Sequence, residues 1–224
     1  MKIFGSDGFR SKVGTKFMTE EFLVSFSEGF SKFCIQEKIS NPIAIGRDTR
    51  KSGKDIEALI SDVFVKNGLE VVLVGVISTP GLSNVLGDNS FSYGIMITAS
   101  HNPSEDNGIK LFGSEGYKLD SDNEKIIENL ILNSSSKVNS KKVLSVKKNY
   151  KLVRNYNNKI YDKFNKLKIS KKYLLDASNG SNSELCKLLS AKFPNFFSIN
   201  NVPNGENINL NCGALEPDNL LEAT

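Results

Sequence analysis

The chain has 224 residues, 39% of them hydrophobic and 24% charged, with a formal net charge of +4 at pH 7. That is enough chain to bury a core as one large or two small domains, and no stretch approaches the roughly 20 apolar residues of a membrane span. The start MKIFGSDGFR is too polar and too rich in glycine for a signal peptide to be expected there, and three scattered cysteines, Cys34, Cys186 and Cys212, predict buried thiols in a reducing, cytoplasmic setting.

KIFGS is expected to open the chain as a short strand. Thr19 reads as the N-cap of a helix with Glu20 and Glu21 in its first turn. Phe22, Phe26, Phe30 and Phe33 recur along that helix at a spacing that predicts a core stripe. PIAIG is a short buried strand, and GKDIEALISDVFVKNG a helix stopping at Gly68. EVVLVGV is apolar throughout, as in a sheet covered on both faces. TPGLSNVLG starts another helix after Pro80, and YGIMITA is the next buried strand. Strands alternating with helices predict a layered α/β domain with a largely parallel sheet over residues 1–135.

A composition break comes next. Serine, asparagine and lysine cluster into a basic connector over 136–152. LVRNYNNKIYDKFNKL then reads as a helix. A second α/β unit, expected over 153–224, continues with KKYLLDASNG as strand and turn, SELCKLLSAKF as helix and NFFSIN as strand. LEPDNLLEA has only begun a helix at Thr224, so this unit is expected to be incomplete. From Lys137 to Lys172 there are twelve lysines and Arg154 against Asp162 alone, which leaves the rest of the chain net acidic. Such a run could mark a nucleic-acid footprint, but it lacks aromatic and glycine-rich RNA-binding signatures and is read as a solvated face.

Chemistry concentrates at strand ends, where ligands bind in open α/β sheets. FGSDGFR, IGRDTRKSG and MITASHNPSEDNGIK bring Arg10, Arg47, Arg50 and Lys110 within reach of one anionic ligand. Familiar alternatives fail. Gly53-Lys54 is followed by Asp55, so no phosphate-binding P-loop forms, and neither G-x-G-x-x-G nor G-x-S-x-G occurs. Ser100 and His101 are neighbours, and in extended backbone neighbouring side chains point apart. His101, the one histidine, is therefore not expected to act as base for Ser100, which argues against acyl transfer. Ser100 can instead carry a phosphoryl group, with arginine and lysine clamps and Lys110 moving the hydroxyl proton.

FGSDGFRSKVG, IGRDTRKSG, TASHNPSEDNGIKLFGSEGYKL, DASNGSNSELC and PNGENINLNCGALEPDNL together resemble the α-D-phosphohexomutase superfamily over nearly the whole chain. The branch most resembled interconverts glucosamine 6-phosphate and glucosamine 1-phosphate. The phosphomannose and phosphoglucose branches remain alternatives, as does a non-catalytic paralogue that binds a phosphosugar or a partner. The resemblance implies an α/β/α first domain with a mixed, largely parallel sheet and an isomerase acting through a phosphoserine. It makes Ser100 the phosphorylated residue and Lys110 the proton-transfer lysine. His101 becomes a shaping residue, Arg10 an arginine of the active centre and Arg47 a support of the serine loop. It also implies a hexose 1,6-bisphosphate intermediate and a Mg2+ bound to Ser100 through its phosphate. The other metal ligands belong to an aspartate loop expected after NLLEAT, so little turnover is expected from these residues alone. Ser11 stands where the family usually has glycine.

Overall fold

The computed structural model describes residues 2–133 and 145–221. Strands β1 (Phe9–Lys12), β2 (Ile43–Arg47), β3 (Val71–Val76), β4 (Tyr93–Ile97), β5 (Asp106–Gly113) and β6 (Lys147–Lys148) form one sheet in the order β1-β5-β4-β2-β3-β6. Among the described residues β4, β2, β3 and β6 run parallel, while β5 and β1 are antiparallel to their neighbours. The sheet is therefore mixed and largely parallel, as expected.

Helices α1 (Glu20–Gln36), α2 (Gly53–Lys66) and α4 (Ser121–Leu132) cover one face, and α3 (Thr79–Asp88) and α5 (Lys151–Asn165) the other. The phenylalanine stripe explains the first face. Phe26, Phe30 and Phe33 are buried, and the ring of Phe30 packs 5.7 Å from those of both Phe64 and Tyr93. Removing each such side chain from water contributes about 1.5–3 kcal/mol. Thr19 caps α1 by accepting from the Phe22 N–H at 3.2 Å.

Two expectations shift. KIFGS is not a strand; β1 begins at Phe9. Ile3 and Phe4 are buried, and their N–H groups both donate at 2.7 Å to Glu128 Oε1 on α4. One carboxylate thus satisfies donors that a strand would have paired across a ladder. The stretch DNGIKLFG, for which no strand is expected above, is strand β5 and lies between β4 and β1.

Residues 134–144, which include the first part of the connector, lie outside the described residues. The segment from β6 through α5 packs on the first sheet: β6 pairs with β3, and Leu152 of α5 is buried with α3 residues. Lys147 pairs with Glu70 at 3.2 Å, and Lys159 pairs with Asp88. Two lysines of the basic run are thus spent on acids of the first unit. The second unit has parallel strands β7 (Tyr173–Asp176) and β8 (Phe196–Ile199) with α6 (Ser183–Lys192) against them, and α7 (Asp218–Leu221) is the helix expected near the end. Cys34, Cys186 and Cys212 are all buried and free, as expected, and burial pushes each thiol's pKa up.

Candidate active site

Ser100 sits in the turn that joins β4 to β5, at the carboxyl end of a parallel strand. Its backbone is left-handed, with φ of 57°. The turn is built around Arg50, whose side chain is 0% exposed. Nε donates to Asp48 Oδ2 at 2.9 Å, Nη1 to the Asp106 carbonyl at 3.0 Å and to that of Pro103, and Nη2 to the carbonyls of Ser100 and Asn102, both at 2.9 Å. Asp48 also accepts from Thr98 Oγ1 at 2.7 Å, and that hydroxyl accepts from the Ser100 N–H at 3.0 Å. Arg50 thus ties four loop carbonyls, those of Ser100, Asn102, Pro103 and Asp106, to one buried guanidinium. The guanidinium is the template on which the Ser100 turn is cast.

The other cations divide between two places. Arg10, on β1 beside Gly108, and Lys110, on β5, line one hollow together with Ser100, His101 and Asp7. Gly8 lets the N-terminal turn close onto this hollow. Its φ is +89°, and a Cβ there would strike the Ile109 carbonyl. The Lys110 side chain is 14% exposed and pairs with the Asp7 carboxylate, so its nearest charge is an acid rather than another cation. At Ser11, where the family usually has glycine, the hydroxyl donates to the Thr15 carbonyl at 2.8 Å and closes the turn after β1.

Arg47 is elsewhere. It stands 3.6 Å from Glu57 and donates to the Asp48 carbonyl at 3.2 Å, and it lines a separate hollow with Lys54, Tyr150 and Arg154. The loop support assigned to Arg47 from the resemblance is supplied here by Arg50. Arg50, read as facing an anionic ligand, is instead enclosed. His101 also differs from the sequence argument. Ser100 is not extended, so the two neighbours are not forced apart, and both open onto the same two hollows.

A second hollow continues from Ser100 and His101 to Asp176, Ser178 and Asn182 of the second unit. The two units also meet where Thr49 Oγ1 donates to the Asn179 carbonyl at 2.6 Å and the Lys51 N–H to the Gly205 carbonyl at 2.9 Å. The carboxylates near Ser100 are all engaged. Asp7 pairs with Lys110, Asp48 is held by Arg50 and Thr98, and Asp106 accepts from Asn102 Nδ2 at 2.6 Å. Asp176 accepts from the N–H groups of Ser178 and Gly213, each at 2.8 Å. Among the described residues no group of three or more His, Cys, Asp or Glu is placed to hold a metal. Free donors around Ser100 are cationic or neutral, a set that suits an anion and does not by itself fit Mg2+.

Residues 1–138 match the family model for the phosphoglucomutase/phosphomannomutase alpha/beta/alpha domain I. Similar curated proteins include the phosphoglucosamine mutase of Helicobacter pylori strain Shi470, 38% identical over 230 residues, which cover 99% of this chain and 51% of the relative. That of Solibacter usitatus is 34% identical over 223 residues, covering 99% and 50%. Among solved structures, a putative phosphomannomutase from Thermus thermophilus superposes with a TM-score of 0.79 at 22% identity, covering 100% of this chain and 51% of that one. A phosphoglucomutase/phosphomannomutase family protein from Burkholderia thailandensis gives 0.77 at 21%, covering 99% and 48%. At that identity the structures speak for the fold. The chain spans about half the length of the curated relatives it matches.

Proposed function

The chain belongs to the phosphoglucomutase/phosphomannomutase family, and from that premise we propose that Ser100 carries the phosphoryl group exchanged with a phosphohexose. The observation that supports this most is the Ser100 turn itself: buried Arg50 donates to the carbonyl of Ser100, while Arg10 and Lys110 line the hollow onto which Ser100 opens. Such an arrangement orients one hydroxyl and surrounds it with charge complementary to phosphate.

In this reading phospho-Ser100 gives its phosphoryl group to a sugar hydroxyl. The bond from phosphorus to Ser100 Oγ breaks and a bond from phosphorus to the sugar oxygen forms, while Lys110 gives a proton to the departing Ser100 Oγ and takes the sugar hydroxyl proton in its place. The resulting hexose 1,6-bisphosphate returns its other phosphate to Ser100. Arg10 binds phosphate oxygens with its planar fork, and Lys110 does so as a point charge. His101 shapes the rim, and Arg47 takes no part in the transfer. A Mg2+, as expected from the family, would find one oxygen source here, the phosphate on Ser100; its carboxylates would come from outside the described residues.

The substrate pair we favour is glucosamine 6-phosphate and glucosamine 1-phosphate, because the curated relatives carry the name phosphoglucosamine mutase. A turnover assay on the protein isolated from its own cells tests this. Ser100→Ala should lower glucosamine 1-phosphate formation about a thousandfold or more, while Ser104→Ala stays near wild type. A Ser100→Ala protein that keeps its rate would sink the proposal.

A further inference from the structure

The second unit reaches the Ser100 turn through the side chain of Asn209. Its Nδ2 donates to the Ser100 carbonyl at 2.9 Å and to the Asn102 carbonyl at 3.0 Å. These are the same two carbonyls that Arg50 Nη2 holds from inside the first unit. A carbonyl oxygen has two lone pairs, so each accepts one donor from either unit. Asn209 is itself firmly aimed. Its backbone is left-handed, with φ of 58°, a conformation asparagine tolerates better than most residues. Its N–H donates to the Ser178 carbonyl at 2.9 Å. Ser178 lies in the turn after β7, and the Asp176 carboxylate ties that turn to Gly213. The amide is therefore the end of a chain of fixed turns that starts at strand β7.

We propose that Asn209 is a positioning residue for phosphoryl transfer at Ser100. It closes the two loop carbonyls from the second unit, so the direction of the Ser100 hydroxyl depends on how the two units meet. The proposal rests on the reading of Ser100 as phosphate carrier. Arg50 alone grips one side of the two peptide groups. Without the second donor those groups can rock about the Arg50 contact and carry Oγ off its line of attack, and a displacement of about 1 Å costs on the order of a hundredfold in rate.

Two variants test it. Asn209→Asp keeps size and tolerance of the left-handed backbone but removes the donor. Asn209→Gly removes the side chain at a φ that glycine adopts freely. Amide hydrogen exchange is read at Ser100 and Asn102, whose N–H groups donate to Thr98 Oγ1 at 3.0 Å and the Ala99 carbonyl at 3.1 Å. Exchange at both should quicken about tenfold or more in each variant, with β4 and α6 unchanged. In the protein isolated from its cells, kcat for the mutase reaction should fall about tenfold or more, with KM within about twofold of wild type. Unchanged loop exchange, a raised KM at constant kcat, or faster exchange spread through α6 would each overturn the proposal. A wild-type protein that turns over without ever carrying phosphate on Ser100 would overturn the underlying reading, and the proposal with it, even where loop exchange responds.

Discussion

Arg50 and Arg47 lie three residues apart in one motif and end in opposite situations. Arg50 is enclosed, with its charge answered by Asp48 and its remaining donors by loop carbonyls. Replacing it by alanine strands the buried Asp48 and frees the turn. Arg50→Ala should therefore cost about 3–5 kcal/mol, read as a lowered urea midpoint. Arg47 faces Glu57, whose pKa burial raises, with Arg47 pulling the other way. A carboxyl group whose folded pKa is raised binds its proton more tightly in the folded than in the unfolded chain. Its contribution is present below the ordinary value of 4.5 and is lost as pH rises through the folded value. Glu57→Gln should flatten that part of the stability curve, measured by urea unfolding at a series of pH values; an unchanged slope would assign it to other groups. The motif IGRDTRKSG carries both arginines without saying which of them supports the loop. The one local signal is the Asp48-x-Arg50 spacing, which lets the carboxylate accept both the backbone N–H of Arg50 at 3.0 Å and its Nε at 2.9 Å.

Among the elements, those buried on both faces were legible. β2, β3 and β4 are runs of apolar residues, and α1 shows its stripe. β5 was hidden because its first residues serve the site. Asp106 bonds Asn102, and buried Asn107 donates to Ser52 Oγ at 2.9 Å, so the strand begins with the composition of a loop. α4 was obscured by its nearness to the serine- and lysine-rich connector, although Asp120 caps it by accepting from the N–H groups of Asp122 and Asn123. The α1–α4 contact makes a separate prediction. A Cβ on Gly29 would lie 2.7 Å from Ile131 Cγ1 and 2.9 Å from the Ile131 N, so α4 would have to move. Gly29→Ala gains about 1 kcal/mol of helix propensity but overpacks against backbone, at a cost of about 1–3 kcal/mol. A net loss in thermal unfolding is expected; a gain would show that the two helices can separate at little cost.

For the molecule as a whole, the described residues place cationic and neutral donors around one hydroxyl, between two units that share hydrogen bonds. An anion bound there should stabilise the folded chain. At a phosphosugar concentration a hundred times Kd the gain is about 2.7 kcal/mol, a rise of roughly 5–10 °C in melting temperature. Arg10→Ala should shrink that rise, whereas Arg47→Ala should leave it intact. Equal losses in the two variants would place the anion elsewhere. The measurement that bears most directly on the central claim is peptide mass spectrometry across Ser100, on the protein isolated from its cells before and after addition of glucosamine 6-phosphate. The expected result is phosphate on Ser100 that is discharged to the sugar. Turnover with Ser100 unmodified throughout, or with the phosphate on another residue, would contradict it.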